Sequence, residues 1–202
     1  MRKSTKKMPP NLEPRTPNLA SLIFATRWGW MGLAATRKGV RAIVLPKSSR
    51  RAVARALAQR PSSKFEVRDS RQSEKGNPSR VTRHAIREAQ RQVMAYLAGR
   101  RRSLDFSIDL SGGTSFQRRV WQAALRIPYG RARSYHWIAS KVGGKKYARA
   151  VGNALGANPL PLIVPCHRVV AHDASLGGFS GGLNVKRRLL ELEGTLSLLK
   201  KR

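Results

Sequence analysis

Residues 134–157 read SYHWIASKVGGKKYARAVGNALGA, and this stretch decides the fold expected for the second half of the chain. Ser134 can cap a helix whose apolar residues follow at helical spacing until the glycines at 143 and 144. Residues 143–146 separate that helix from a second helix over residues 147–157. Two helices joined by a short turn that contains glycine have the spacing of a helix-turn-helix.

The second of these helices carries small residues along one edge. Ala148, Gly152 and Gly156 follow one another at steps of four, although each glycine costs about 1 kcal/mol relative to alanine inside a helix. Arg149 and Asn153 flank that edge and point outward. A groove of nucleic acid that approaches closely, with Arg149 reaching into it, explains this composition. Tight packing against another helix, with Arg149 in solvent, is the alternative.

The next segment, residues 158–170, reads NPLPLIVPCHRVV and contains the one cysteine of the sequence. Its three prolines exclude a helix, so the chain runs extended and then turns just before Cys166. His167 can accept a proton and Arg168 adds positive potential, so we expect the reactive thiolate form to be favoured. The alternative is a small buried apolar residue, because adjacent side chains in an extended chain point apart and the dipeptide alone establishes no pair.

A glycine-rich loop and a final helix follow the cysteine. Backbone amides of the loop 177–182, GGFSGG, can face a ligand. Asn184 is expected to start the helix and Gly194 to end it. The expected buried side holds Val185, Leu189 and Leu192. Glu193 lies in the last turn, where its charge opposes the helix dipole, so it either has a compensating partner or is an ordinary surface acid.

The first half of the chain predicts a small sheet with helices. Three runs rich in strand formers, 22–26, 30–36 and 40–45, are separated by turn residues and predict an antiparallel meander. Apolar residues at helical spacing predict helices over 49–59 and 81–98. The other predicted elements are a basic arm at 1–18, a loop at 60–80 with a weak strand at 65–67, a strand at 104–108 and a helix at 115–127.

These elements define an α+β fold class. An N-terminal antiparallel sheet with helices is followed by a mainly helical C-terminal domain, which contains the helix-turn-helix and the cysteine turn. We expect an N-terminal scaffold domain over residues 19–110 and a C-terminal domain over 111–196. A flexible basic arm at 1–18 and a basic tail at 197–202 flank them.

Composition narrows the classes of function. The 202 residues include 41 Lys and Arg but 10 Asp and Glu, which gives a net charge of +31. This charge favours nucleic acid as the partner, although an arginine-rich segment can also be an ordinary solvated face. The sequence has no run long enough for a membrane span, and four prolines before the first apolar run argue against a secretory signal. One cysteine excludes an internal disulfide or a zinc site built on two thiolates.

The run Pro165-Cys166-His167-Arg168 and its surroundings resemble the O6-alkylguanine-DNA alkyltransferases, also called methylated-DNA–protein-cysteine methyltransferases. The resemblance is close over residues 104–195 and extends to the first half only in layout, where residues 29–32, GWMG, are the best local match. It is carried by Asn158, Arg149, Glu193-Gly194 and the stretches 116–117, 120–121, 127–130, 134–135, 150–152 and 179–182.

The resemblance implies a chemical role for four residues. Cys166 would attack the alkyl carbon on guanine O6 and keep it as a thioether, so that each molecule reacts once. In the family, the thiolate forms by a relay through His167 and a bound water to the carboxylate that aligns with Glu193. Asn158 would brace the active-site turn. Residues 111–196 would then be the DNA-binding and alkyl-acceptor domain.

The resemblance also implies how DNA is bound. Tyr135 would contact DNA and donate a hydrogen bond to the departing guanine, and the amide of Ser180 would bind the guanine O6. Arg149 aligns with the residue that enters the duplex and fills the space left by a nucleotide flipped from the minor groove. The expected partner is double-stranded DNA containing O6-alkylguanine, with O4-alkylthymine as a further candidate substrate.

Direct displacement by a thiolate needs neither a metal nor a cofactor, so we expect none. Some family members hold zinc in the N-terminal lobe with cysteines, which this sequence lacks there. We expect a monomer with no membrane partner, in the cytoplasm of a prokaryote or the nucleus of a eukaryote.

Two other functions stay open. A non-catalytic helix-turn-helix protein that binds alkylated DNA would leave Cys166 without a role, although relatives of that kind lack the cysteine. A cysteine–histidine hydrolase would turn over an ester or a peptide and be indifferent to DNA, and the helix-turn-helix gives it no support.

Overall fold

The first half of the chain folds around a three-stranded antiparallel sheet, which confirms the predicted meander. The computed structural model describes residues 20–59 and 80–199. The strands are β1 (Ala20–Thr26), β2 (Gly29–Thr36) and β3 (Gly39–Lys47), with β2 in the centre. Leu33 of β2 lies opposite Leu22 on one side and Ile43 on the other, so apolar side chains pair across the sheet.

Two helices, both predicted, cover opposite faces of this sheet. Neighbouring residues of a strand point to opposite faces, so Leu33 and Ala34 belong to different clusters. α1 (Arg50–Ala58) covers the face whose cluster consists of Ala34, Ala42, Val44, Val53 and Leu57. α2 (Arg80–Leu97) covers the other face, and its buried residues join a core that continues into the second half of the chain.

The strand predicted over residues 104–108 is wrong, because within it only Ile108 forms a bridge, to Val40. The amide of Val40 donates to the Ser107 carbonyl and the Asp109 amide donates to the Val40 carbonyl, each at 2.8 Å. Asp109 then turns the chain away from the sheet, because its buried carboxylate accepts hydrogen bonds from neighbours on both sides. Its donors are Thr36, Arg41 and Ser111.

The second half is mainly helical, as predicted. Its α-helices are α3 (Ser115–Leu125), α4 (Tyr135–Val142), α5 (Ala148–Gly156), α6 (Leu183–Leu192) and α7 (Leu196–Leu199). A short parallel pair, β4 (Arg133–Ser134) with β5 (Val169–Val170), connects the start of α4 to the segment after Cys166. α3 ends two residues earlier than predicted.

α4 and α5 form the predicted helix-turn-helix. The Ser134 hydroxyl caps α4 by accepting from the Trp137 amide at 3.1 Å. After the two glycines the chain makes a 3-10 turn, Lys145–Tyr147, so α5 begins at Ala148, one residue later than predicted. The Trp121 indole N–H donates to the Ala154 carbonyl at 2.8 Å and holds α3 against α5.

The predicted start of the last long helix at Asn184 is wrong. α6 begins at Leu183, and the residue before it, Gly182, has a φ of 87° and provides no side-chain cap. Asn184 is already inside the first turn, so its side chain cannot occupy the cap position. Gly194 follows the helix with a φ of 71°, which fits the predicted end.

Some predicted segments lie outside the described residues. These are the arm at 1–18 and the strand at 65–67, together with the predicted loop at 60–80 except Arg80. Residues 197–199 of the predicted tail belong to α7, and 200–202 are not described. The domain boundary near residue 110 stays a prediction. None of the helices in residues 20–59 and 80–199 is long and apolar enough to cross a membrane.

The Asp109 cluster gives a test of the fold. Asp109→Ala leaves the largely buried Arg41 guanidinium without its carboxylate, so we expect the free energy of unfolding to fall by about 2–4 kcal/mol. Urea unfolding followed by circular dichroism measures this change. Asp105→Ala removes an exposed ion pair with Arg101 and is the matched control, with little change expected. Equal unfolding midpoints for both variants would contradict the role given to Asp109.

Candidate active site

The cysteine turn is held by the side chain of Asn158. Its amide nitrogen donates to the Val164 carbonyl at 3.0 Å and lies 3.2 Å from Cys166 Sγ, while its amide oxygen accepts from the Leu160 amide at 2.9 Å. Cys166 therefore begins a 3-10 turn, Cys166–Arg168, instead of continuing an extended chain. The thiol sulfur is fixed in position by the same side chain that closes the proline-rich loop.

His167 and Glu193 form a fully buried pair at the base of this turn. His167 Nε2 lies 2.7 Å from Glu193 Oε1. Arg168 donates to the same carboxylate twice, from Nε to Oε2 at 2.9 Å and from Nη2 to Oε1 at 3.1 Å. Glu193 thus has the compensating partners expected of an acid at a helix C-terminus, and it is not an ordinary surface acid.

The protonation states of this group follow from burial and from its charges. Burial alone would raise the pKa of Glu193, but the hydrogen bonds of His167 and Arg168 and the Arg168 charge outweigh it and lower the pKa to about 2. Burial lowers the pKa of His167 below its usual value despite the carboxylate. A neutral imidazole beside an ionised carboxylate must carry its proton on Nε2, so Nδ1 has the free lone pair. Nδ1 has no hydrogen-bond partner among the described residues.

The expectation that the thiolate is favoured is wrong for the resting site. Burial raises the pKa of Cys166, and the hydrogen bond from Asn158 and the charge of Lys186 offset only part of that rise. Arg168 does not supply the expected potential at the sulfur, because its guanidinium is engaged by Glu193. The resting group is a thiol, and it must lose its proton when it reacts.

Lys186 is the functional residue that the sequence did not reveal. It is fully buried in the first turn of α6, and its ammonium donates to the carbonyls of Val169 at 2.5 Å, of Leu176, and of Gly178 at 3.3 Å. Burial lowers its pKa to about 8, although the nearby Cys166 acts in the opposite direction. It joins the end of the cysteine segment to the glycine-rich loop. Its positive charge also lowers the pKa of Cys166 and so offsets part of the effect of burial.

The helical spacing of α6 contains a signal that would have found this lysine. Lys186, Leu189, Leu190 and Glu193 follow at i, i+3, i+4 and i+7, and all four are buried. The expected core side of Val185, Leu189 and Leu192 is confirmed, since Leu189 is fully buried and the other two are half-buried and pack against the core. A helix that turns both a lysine and a glutamate inward needs internal partners for each charge.

A cavity of about 410 Å³ opens beside the thiol. Cys166 is 5% exposed and lies in its wall. The lining includes Tyr135 at the start of α4, Arg149 on α5, and Phe179 and Ser180 of the glycine-rich loop. The sulfur is therefore at the boundary between the core and an open space next to the helix-turn-helix.

The small-residue edge of α5 faces this open space. A Cβ atom added to Gly156 would meet nothing within 4 Å, and one added to Gly152 would touch only Tyr135, at 3.9 Å. Val151 and Leu155, on the adjoining side of α5, are buried. The alternative of tight packing against another helix is therefore not supported within the described residues, and the exposed Arg149 lies beside the cavity.

Tyr135 closes the cavity against the loop. Its hydroxyl donates to the Gly178 carbonyl at 3.2 Å. Gly177 adopts a φ of +61°, and a Cβ there would lie 3.0 Å from the tyrosine ring, so glycine is favoured at this position. Burial raises the pKa of Tyr135, and the charge of a Cys166 thiolate would raise it further, so its hydroxyl stays protonated and can donate.

The residues predicted from the sequence come together at this one place. The cysteine turn contains Cys166 and His167 and is contacted by Asn158 and Glu193. The cavity on the other side of the sulfur is lined by Tyr135, Arg149 and Ser180. Within residues 20–59 and 80–199, no group of three His, Cys, Asp or Glu side chains could hold a metal ion. The site therefore combines a buried thiol, a nearby base and a surface for a ligand.

Comparisons with known proteins agree with this arrangement. The family model of the 6-O-methylguanine DNA methyltransferase DNA-binding domain matches residues 115–195. A methylated-DNA–protein-cysteine methyltransferase of Mycobacterium leprae is 52% identical over 120 residues, which cover 57% of this chain and 72% of the relative. One from Mycobacterium tuberculosis H37Rv is 54% identical over 102 residues, which cover 50% of this chain but 61% of the relative, less than two thirds of its length.

A solved structure extends the comparison to both halves of the chain. The crystal structure of Mycobacterium tuberculosis OGT in complex with DNA superposes with a TM-score of 0.65 and 36% identity, and the match covers 87% of this chain and 93% of that one. The sheet, the helix-turn-helix and the cysteine turn thus define a protein of the O6-methylguanine-DNA methyltransferase class. The chain belongs to the methylated-DNA–protein-cysteine methyltransferase family.

Lys186 can be tested without any assumption about the substrate. Lys186→Met removes the positive charge near the sulfur, so the pKa of Cys166 should rise and its reaction with iodoacetamide at neutral pH should slow by about three- to tenfold. Above a pH of about 8, where Lys186 loses its own proton, the difference from the original protein should narrow. The rate of Cys166 alkylation as a function of pH measures both effects.

Lys141→Met is the control for this experiment, because Lys141 lies exposed on α4 and its loss should leave the thiol reactivity unchanged. Thermal unfolding shows whether each variant is folded at the assay temperature. A folded Lys186→Met protein with the original pH dependence would show that the lysine holds the loop but does not act on the sulfur.

Proposed function

We propose that the protein repairs DNA by moving an alkyl group from O6-alkylguanine to Cys166, irreversibly and once per molecule. The observation that carries the proposal is the position of the sulfur. Cys166 has a proton-accepting network on its buried side and a cavity lined by the helix-turn-helix on its open side. Relatives named for this reaction, and a relative solved in complex with DNA, support the same conclusion.

The first step is removal of the thiol proton. Nδ1 of His167 has a free lone pair, so we propose that a water molecule carries the proton from Cys166 to this atom. Glu193 then faces an imidazolium across 2.7 Å and stabilises its charge. Asn158 donates to the sulfur and Lys186 supplies positive potential, and both favour the thiolate that forms.

The second step is displacement at the alkyl carbon. The thiolate forms a bond from sulfur to carbon as the bond from that carbon to guanine O6 breaks, and the electron pair of the broken bond passes to the guanine. The base takes up one proton, which replaces the one lost from the thiol, so the products are S-alkylcysteine and guanine. We propose that the Tyr135 hydroxyl and the Ser180 amide stabilise the departing base.

DNA must present the alkylated base outside the stack, because a carbon inside a duplex cannot reach the cavity wall. We propose that α5 enters the minor groove along its glycine edge and that Arg149 fills the space left by the flipped nucleotide. The exposed position of Arg149 beside the cavity supports this role. A monomer carries all of these groups, and O4-alkylthymine would use the same displacement.

A non-catalytic DNA-binding protein is the main alternative. It would use the helix-turn-helix and cavity but would not need the thiol to be held by Asn158 or the histidine to be paired with Glu193. The buried network behind the sulfur therefore favours the transferase. A cysteine–histidine hydrolase would form a thioester that water cleaves and would not need DNA, so the helix-turn-helix beside the cavity gives it no support.

The transfer can be tested by weighing the protein. After incubation with a duplex that contains O6-methylguanine, the intact protein should gain one methyl group in exchange for the thiol proton. Mass spectrometry of the peptide that contains Cys166 locates the group. A protein that binds this duplex but gains no mass would support the non-catalytic alternative.

Cys166→Ser is the control, because it keeps the size of the side chain and should bind the duplex without gaining mass. A methyl group retained by this variant would place the acceptor elsewhere. One equivalent of product per molecule, with no further reaction on added substrate, should define the stoichiometry of the original protein.

Arg149 gives a separate test of nucleotide extrusion. Arg149→Ala should slow methyl transfer from duplex DNA by about 10- to 100-fold, since the variant lacks the side chain that offsets the cost of unstacking a base. Reaction with free O6-benzylguanine should be nearly unchanged, because that substrate needs no extrusion. Lys145→Ala removes another exposed charge of the same motif and should affect both substrates little at saturating DNA. Equal losses with both substrates would refute the role.

A further inference from the structure

Tyr96 of α2 reaches the catalytic network from the first half of the chain. It is 1% exposed, and its hydroxyl donates to Glu193 Oε1, 97 positions away in the sequence. Arg168 Nη2 lies 3.4 Å from the same hydroxyl. The Tyr129 ring packs edge-on against Tyr96 with centroids 6.0 Å apart, but its own hydroxyl donates to the Leu192 carbonyl and not to Glu193.

The carboxylate of Glu193 is saturated with donors. Oε1 receives Tyr96, His167 and Arg168, and Oε2 receives Arg168 and, at 3.4 Å, the amide of Gly130. The hydrogen bonds from His167 and Arg168 and the Arg168 charge keep this carboxylate ionised, with a pKa lowered to about 2. A proton released by Cys166 therefore stays on His167 and is not passed to Glu193.

We propose that Tyr96 is a positioning residue for the thiol reaction: its hydroxyl fixes the Glu193 carboxylate and limits how strongly that carboxylate draws a proton onto His167. This inference rests on the proposed function only in that His167 accepts the Cys166 proton. A carboxylate with one donor fewer is a stronger acceptor for the Nε2–H group, so it would stabilise the imidazolium more. The histidine would then already be protonated at pH values where it must be free to act as a base.

The other charges around His167 are known from the structure. Glu193 and Lys186 face it from the α6 segment, Cys166 and Arg168 adjoin it in the turn, and Tyr96 acts from α2 through the carboxylate. Burial and the charge of Glu193 raise the pKa of Tyr96, so its hydroxyl stays protonated and remains a donor across the working pH range. The Tyr96 contribution to the network is therefore a constant hydrogen bond and not a titrating charge.

Tyr96→Phe removes this hydrogen bond and keeps the ring. We expect the pKa of His167 to rise by roughly one unit, because one donor to the carboxylate is lost. Nuclear magnetic resonance of the ring signals measures it, with His84, His136 and His172 as internal references. The acid limb of the rate of Cys166 alkylation by iodoacetamide should move to higher pH by the same amount.

Tyr129→Phe is the matched control, since it removes a hydroxyl from the adjacent ring without touching Glu193. If Tyr96→Phe fails to fold, Tyr96→3-fluorotyrosine keeps the size and makes the hydroxyl a stronger donor, so the pKa of His167 should fall. If Tyr96 had only a structural role, the two Tyr96 variants would not shift the pKa of His167 in opposite directions.

A folded Tyr96→Phe protein with an unchanged His167 titration overturns the proposal. An equal shift in Tyr129→Phe, or no downward shift in the fluorinated variant, does so as well. The titration and the iodoacetamide reaction need no DNA. A failure of methyl transfer in the original protein would therefore reject the proposed function while leaving this test of Tyr96 intact.

Discussion

A carboxylate that water cannot reach must find all its donors inside the protein, and Glu193 imposes this condition on the whole site. Its donors come from α2, from the turn that carries the cysteine and from the segment before α4. Each donor fixes the backbone that supplies it, so the position of the sulfur depends on this one ion. Removing any donor would leave buried charge less well satisfied, which costs more than an exposed hydrogen bond would.

The reactive sulfur lies between two different environments. Behind it, Asn158 and His167 belong to a packed interior, and in front of it Tyr135 and the α5 glycines border open space. Burial keeps the thiol protonated, which protects it from unwanted oxidation in the resting protein. In the proposed mechanism, reactivity is then produced by a nearby base and not by a permanently ionised sulfur.

Lys186 connects the segment that follows Cys166 with the loop that lines the cavity. Its ammonium donates to the Val169 carbonyl, in the segment that follows Cys166, and to the carbonyls of Leu176 and Gly178, at the start of the loop that precedes α6. The loop that lines the cavity and the segment that follows Cys166 are therefore held at one point. A change in the charge of this lysine affects both the loop and the sulfur.

Local sequence signals predicted most of the fold, and the resemblance to a known family predicted most of the site. Runs rich in strand formers, separated by turn residues, predicted the meander. The glycine pair before α5 predicted the helix-turn-helix. The state of Cys166 could not be predicted, because the balance between burial and nearby charge depends on the whole fold. Tyr96 was missed for a related reason, since its partners lie on other segments and no local pattern shows them. Lys186 was missed although the helical spacing of α6 places it on the buried side. The strand predicted over residues 104–108 does not form, because Asp109 accepts buried hydrogen bonds and turns the chain away from the sheet.

The hydrogen bond from Tyr96 to Glu193 has a consequence for how the two halves of the chain can be separated. The predicted boundary near residue 110 would divide the sequence but not the hydrogen-bond network, since the Tyr96 hydroxyl on α2 donates to Glu193, the residue that follows α6. A fragment that begins after residue 110 would retain Cys166, His167 and the residues that line the cavity, but it would lack one of the five contacts to the Glu193 carboxylate. The half of the chain that contains the sheet therefore supplies a hydrogen bond to the buried network behind Cys166 and does not only support the other half.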